Sequence, residues 1–143
     1  MPVTVRWSDM DAFGHVNNVQ FLRLLEESRI AAFEELRGDG PGLLETGVLV
    51  ARHEVEYLRP MAWSARPAQV HLWVTAIGGA SFDLGYEVSD QAPGEPEQVY
   101  ARAASTMVTF DVASGATRRV SDRERAVLEG WRGDPVPFRR RPA

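Results

Sequence analysis

Residues 18 to 37 read NVQFLRLLEESRIAAFEELR. Projected at about 100° per residue, Phe21, Leu25, Ser28, Ala32 and Leu36 share one sector, while Gln20, Arg23, Glu27 and Glu34 take the opposite side. The pattern predicts an amphipathic helix of about five turns with one face against a core. Asn17 or Asn18 can cap its start, because a short side-chain acceptor satisfies a free amide of the first turn. Gly38, Gly40 and Pro41 stop it. Arg29 falls beside Leu22, Leu25 and Leu36, so it is expected to be shielded and to take Glu26 or another carboxylate as partner.

Outside the helix the chain alternates with a period of two. A short first strand is read at residues 3 to 7, with Val3, Val5 and Trp7 on one side, and four more at 48 to 58, 68 to 77, 82 to 89 and 98 to 112. Val70, Leu72, Val74 and Ala76 oppose His71, Trp73 and Thr75, and Phe82, Leu84, Tyr86 and Val88 oppose Asp83, Gly85 and Glu87. Such alternation marks an antiparallel sheet with one covered face. Gly78-Gly79 is expected to supply the positive φ angles of a tight hairpin, and residues 92 to 96 a longer connection. Residues 121 to 131 read as a short helix capped by Ser121 or Asp122, and those from about 133 to 143 as a mobile tail. The order β-α-β-β-β-β gives an α+β fold, a five-stranded antiparallel sheet around one long helix, in a single domain spanning 1 to 143. Uncovered strand edges, and Trp73 on the mixed face, point to a homodimer or a dimer of dimers.

Composition narrows the chemistry. No cysteine occurs among the 143 residues, which excludes disulfides, a thiol nucleophile and thiolate metal ligands together. The net charge of −4 argues against a nucleic-acid partner. No stretch approaches the ~20 apolar residues of a membrane span and the start lacks a signal-peptide layout, so a cytoplasmic protein without a membrane partner is expected. His53 and His71 lie on strands with no spaced ligand set, and no metal is expected.

The densest cluster of chemistry-bearing residues is RWSDMDAFGHVNN at 6 to 18, between the first strand and the helix. It delivers a carboxylate, a glycine, a histidine and two carboxamides to a helix start, whose free amides favour developing negative charge. A base beside an oxyanion donor is what acyl transfer requires. Turn aspartates commonly accept hydrogen bonds from their own loop, and Asp9 is read in that structural way. Glu26 and Arg29 are read as a structural pair, and the run at 139 to 141 as a solvated cluster rather than a phosphate site.

The run DMDAFGHVNN, followed by an aromatic residue and an amphipathic helix, resembles the entry to the central helix of hotdog-fold acyl-CoA thioesterases of the 4-hydroxybenzoyl-CoA thioesterase type. More loosely, the resemblance extends over residues 3 to 112, through Tyr57-Leu58-Arg59-Pro60 and Ser81-Phe82. It implies hydrolysis of an acyl-CoA thioester, with coenzyme A as part of the substrate and no separate cofactor. Asp11 then matches the catalytic aspartate, Gly14 the loop glycine, and Asn18 the residue whose backbone amide polarises the thioester carbonyl. His15 matches a substrate-orienting position, and Asn17, Tyr57, Arg59 and Ser81 are the further substrate-binding candidates. Some members use a glutamate on the helix, for which Glu26 and Glu27 are the choices here, but Glu27 projects to the polar side and Asp11 is preferred. The family's Gly-Asp pair before the next strand is replaced by Ser64-Ala65-Arg66-Pro67, so that loop carries no substrate inference.

Two other functions fit the same fold: a hydratase or dehydratase using an aspartate and a histidine, and a non-catalytic acyl-CoA-binding protein. The first has its Asp-to-His motif elsewhere, after the helix is under way. Release of free thiol from acyl-CoA esters separates all three.

Overall fold

Asn17 starts the long helix: its side chain accepts from the Val19 amide at 3.1 Å, and its carbonyl from Gln20 at 2.8 Å. The computed structural model describes residues 1 to 139. Helix α1 spans Asn18–Glu35 and buries Phe21, Leu24, Leu25, Ser28, Arg29, Ala32 and Phe33. The expected stripe is present, with Leu36 only half-buried at the cap. Five strands, β1 (Pro2–Val3), β2 (Val48–Tyr57), β3 (Ala68–Ile77), β4 (Ser81–Asp90) and β5 (Gln98–Thr109), form one antiparallel sheet in the order β1-β3-β4-β5-β2.

The apolar stripe of α1 meets the inner face of that sheet. Val70, Val74, Phe82, Leu84, Tyr86, Val88, Ala101, Ala103 and Met107 are buried there, and Phe33 meets Phe82 edge-on at 6.1 Å. Each large apolar side chain so covered contributes roughly 1.5 to 3 kcal/mol. Register slips between Val74 and Ala76 and between Val88 and Ser89 break the simple alternation. Ala76 is consequently exposed and Ser89 buried. No helix among the described residues is long and apolar enough to cross a membrane.

Several expectations need correction. The first strand stops at Val3, because Trp7–Asp9 closes a 3-10 turn in which the Asp9 carboxylate accepts from the Arg6 amide at 2.7 Å; Trp7 is left 77% exposed. Strand β5 ends at Thr109, before a turn in which Asp111 accepts from the Ser114 amide at 2.8 Å. Neither Gly78 nor Gly79 has a positive φ. The β3–β4 turn closes through Gly78 N–H to the Ser81 carbonyl at 2.7 Å, and a Cβ on Gly78 would press on the Ser81 hydroxyl at 3.1 Å. Arg29 is shielded, but Nη1 donates to the Tyr86 hydroxyl at 3.3 Å rather than to a carboxylate. The reason is direction: Arg29 reaches inward to β4, whereas Glu26 is exposed.

Trp73, expected at an interface between copies, is covered by its own chain. Its indole lies over Gly85, where a Cβ would come within 2.6 Å of Cε2, and Nε1 donates to the Asp134 carbonyl at 2.7 Å. Val74 N–H donates to the Trp131 carbonyl at 2.8 Å and Gly133 N–H to the Val74 carbonyl at 2.9 Å, adding this segment to β3. The chain to residue 139 then makes further bonds to the sheet: the Pro137 carbonyl accepts from Arg102 at 3.0 Å and the Arg139 amide donates to Glu56 at 3.1 Å. The rest of the segment read as a tail, 140 to 143, lies outside the described residues.

Two short helices, α2 (Leu43–Thr46) and α3 (Asp122–Glu129), close the far end of α1. Ser121 caps α3. Arg118 joins α2 to α3, donating to both Glu124 oxygens at 2.7 and 2.8 Å and to the Thr46 hydroxyl at 2.8 Å. Burial alone would raise the Glu124 pKa, but hydrogen bonds from Arg118, the Ser121 amide and Thr46 outweigh it and lower the pKa from 4.5 to about 2. The folded value lies below the unfolded one, so this contribution is complete above about pH 4.5 and is lost as pH falls toward 2. Unscreened linkage would be about 3 kcal/mol, and partial solvent contact reduces it to on the order of 1 to 2 kcal/mol. Glu124→Gln is therefore expected to flatten the acid limb of a plot of Tm against pH in that window; an identical limb in both proteins would refute the assignment.

Candidate active site

The segment before α1 folds back on itself. Met10 and Val16 form an antiparallel bridge, Asp11 N–H donates to the His15 carbonyl at 2.7 Å, and Gly14 N–H to the Asp11 carbonyl at 3.2 Å. Gly14 adopts φ +75° at the apex, a conformation in which a side chain would be strained although space is open. Inside this turn Asp11 Oδ1 accepts from the Phe13 amide at 2.8 Å and the His15 amide at 3.1 Å. Oδ2 has no protein donor among the described residues and is not buried. One oxygen thus fixes the carboxylate and the other stays accessible.

The turn is fastened on two sides. Val16 N–H donates to the Met61 carbonyl at 2.7 Å, with His15 bridged to Ala62. Asp9, 3% exposed, pairs with Arg23 of α1, which also pairs with Glu27, and the Asp9 carbonyl accepts from the Asn17 amide at 2.8 Å. Asp9 is therefore structural, as read from the sequence.

A cavity of about 310 Å³ opens between this turn, the start of α1 and the end of β2. It brings together Asp11, His15, Asn18, Tyr57 and Arg59, with Phe21 and Met61 as apolar surface. The backbone amide of Asn18 has no acceptor among the described residues, while its carbonyl accepts from the Tyr57 hydroxyl at 2.9 Å. Tyr57 stands edge-on to Phe21 at 5.4 Å, and burial raises its phenol pKa. Arg59 is held by the side chain of Gln98.

Three candidates are not in the cavity wall. Gly14 shapes the turn and Asn17 caps the helix. Ser81 pairs with Val108 at the other end of the sheet, away from Tyr57, which pairs with Ala101. The chain therefore does not bring Ser81 to its own Asp11. Sequence reasoning passed over Phe21 and Met61; Phe21 was legible as the first apolar residue of the helix stripe, whereas nothing local marks Met61. Among the described residues no three His, Asp or Glu side chains gather to hold a metal ion.

A carboxylate oxygen that can attack, or activate water toward, an acyl carbonyl thus shares one cavity with an unengaged helix-start amide that can donate to the oxyanion. The chain is similar to several known proteins. YsmA of Bacillus subtilis strain 168, an uncharacterized protein, is 31% identical over 126 residues, covering 88% of this chain and 82% of its own. A thioesterase from Thermus thermophilus, solved with coenzyme A and zinc, is 30% identical with a TM-score of 0.75, each chain 94% covered. A 4-hydroxybenzoyl-CoA thioesterase mutant complexed with 4-hydroxybenzoyl-CoA shares the fold at 16% identity, with a TM-score of 0.77 over 90% of this chain and 96% of its own. A sequence profile of the thioesterase-like superfamily matches residues 5–138. With the profile spanning nearly the whole domain and the sheet and helix arranged as in those structures, the chain belongs to the thioesterase-like superfamily and has the hotdog fold.

Proposed function

We propose that the chain hydrolyses an acyl-coenzyme A thioester to a free acid and coenzyme A, which enters as part of the substrate rather than as a cofactor. Asp11 acts through Oδ2, as nucleophile or as general base toward water, and the Asn18 amide stabilises the oxyanion. The observation that carries this reading is the convergence of these two unengaged groups on one cavity. His15, Tyr57 and Arg59 line the path of the substrate, and Gly14 and Asn17 hold the turn and the helix start in place. The working unit is a homodimer or a dimer of dimers in the cytoplasm. Support for assembly comes from β2, a terminal strand of the sheet, and from the exposed apolar side chains of its Leu49 and of Ile30 on α1, 46% and 44% exposed.

The test is thiol release from a panel of aliphatic and aromatic acyl-CoA esters, read with a thiol reagent. Release with at least one ester is expected. Tight binding of acyl-CoA without any release would identify a binding protein instead.

A further inference from the structure

The outer face of the sheet, turned away from α1, is closed by the chain itself. Residues 131 to 133 run along the edge of β3 beyond the part that β1 covers, the Trp131 carbonyl accepting from the Val74 amide at 2.8 Å and the Gly133 amide donating to the Val74 carbonyl at 2.9 Å. From there the segment crosses the sheet. The Asp134 carbonyl accepts from the Trp73 indole at 2.7 Å, the Pro137 carbonyl accepts from Arg102 of β5 at 3.0 Å, and the Arg139 amide donates to Glu56 of β2 at 3.1 Å. Pro135 and Pro137 have no N–H, so the segment crosses as a strap and not as a paired strand. Val136 and Phe138 are half-buried between exposed neighbours, which turns these two apolar side chains toward the sheet. The Trp73 indole lies between Gly85 and Gly133, at either of which a Cβ would come within 2.6 Å of the ring. Beside it a cavity of about 250 Å³ lies between the strap, at Val136 and Phe138, and the floor at Thr75, Ala104 and Thr106. The strap is thus held by a few bonds and not by a packed floor.

We propose that this outer face is an interface for a second copy of the chain, and that the strap, residues 131 to 139, keeps it closed. With the strap lifted, Trp73, Gly85 and Ala104 form a flat apolar centre, and the pairs Arg102–Glu87, at 2.9 Å, and Arg52–Glu54, at 3.3 Å, stand around it. An apolar centre rimmed by charge is the anatomy of an interface. The rim carries both signs in neighbouring pairs, so the same patch turned about a two-fold axis meets opposite charges; this singles out a second copy as the partner. Two sheets stack face to face at a spacing of roughly 10 Å with their side chains interdigitated. A backbone lying across the face fills that gap and prevents the contact. This face is separate from the edge of β2, where pairing widens the sheet and leaves the outer face outside the contact.

Three proteins are compared by sedimentation velocity at micromolar concentration: the full chain, a chain ending at Asp134, and the full-length double variant Val136→Asp, Phe138→Asp. The shortened chain keeps Trp131, Gly133 and the Asp134 carbonyl, so the β3 edge and the indole retain their partners. The double variant keeps the full length and sets two charges against the floor, and it carries the test should the shortened chain not fold. The core lies on the other face of the sheet, so both are expected to keep the parent circular dichroism spectrum. The full chain is expected to hold one mass, and the other two to reach twice that mass as concentration rises. Ala104→Arg, added to the shortened chain, sets like charges together at the centre of the contact and is expected to restore the mass of the full chain. The proposal is overturned if neither folded variant doubles. It is equally overturned if the doubling survives Ala104→Arg, because the new contact then lies elsewhere than on this face. Mass is read relative to the full chain, so neither the absence of hydrolysis nor the absence of pairing through β2 would be mistaken for either result.

Discussion

Asp11→Asn is expected to lower kcat for thioester hydrolysis by about 10² to 10⁴ while leaving KM and the unfolding temperature close to those of the parent protein. Asparagine keeps an acceptor oxygen for the Phe13 and His15 amides, so the turn that Oδ1 organises survives. What is lost is the charge on Oδ2, the oxygen that no protein group engages. An amide neither attacks a carbonyl nor takes a proton from water at neutral pH, so the deficit falls on the chemical step. The Asn18 amide and the cavity remain, and with them residual turnover above the uncatalysed rate. Single-turnover kinetics on an ester that the parent protein hydrolyses makes the measurement. Retention of more than about a tenth of the parent rate, which lies above the range for loss of a general base, would remove Asp11 from the role and leave Glu26, Glu27 or a group from a second copy to be tried.

Much of this was legible in the sequence because the signals are local. The stripe from Phe21 to Ala32, the alternation from Phe82 to Val88 and the Ser121 cap each depend on neighbours a few residues apart. What the sequence withheld is long-range. Nothing in residues 48 to 57 says that β2 pairs with β5 rather than with the strand that follows it. The register slip at Val74 and Ala76 is set by β4, and it turned outward a residue that alternation had placed inside. Ser81 was assigned to the site by likeness of position and lies at the opposite end of the sheet, since a motif carries no distances. Gly78 and Gly79 were read as positive-φ residues, the commonest use of such a pair. Here a Cβ on Gly78 would press on the Ser81 hydroxyl at 3.1 Å, and the Gly79 carbonyl accepts from Val120 at 2.8 Å.

Asp9 shows the same limit with a larger energetic consequence. Its place in a polar run made it look like an ordinary turn aspartate. In the fold its Oδ2 accepts from the Arg6 amide and from Arg23, which lies 14 positions along the chain and also reaches Glu27 and the Thr4 carbonyl. Asp9→Ala is therefore expected to destabilise the protein by about 3 kcal/mol, the lower end of the cost of stranding one member of a shielded ion pair, because Glu27 still neutralises part of the Arg23 charge. The Asp9 backbone carbonyl keeps its bond to the Asn17 amide, so the helix start is not released outright. Well below the unfolding temperature the loss of turnover should then be smaller than in Asp11→Asn. Equilibrium urea unfolding of the two variants, with activity assayed at low temperature, separates them: Asp9→Ala moves the unfolding midpoint and Asp11→Asn moves kcat. Ser8→Ala, at an exposed position in the same 3-10 turn, is the neutral comparison. An Asp9→Ala protein with an unchanged midpoint would mean that Arg23 draws its hold on the loop from Glu27 and Thr4 alone.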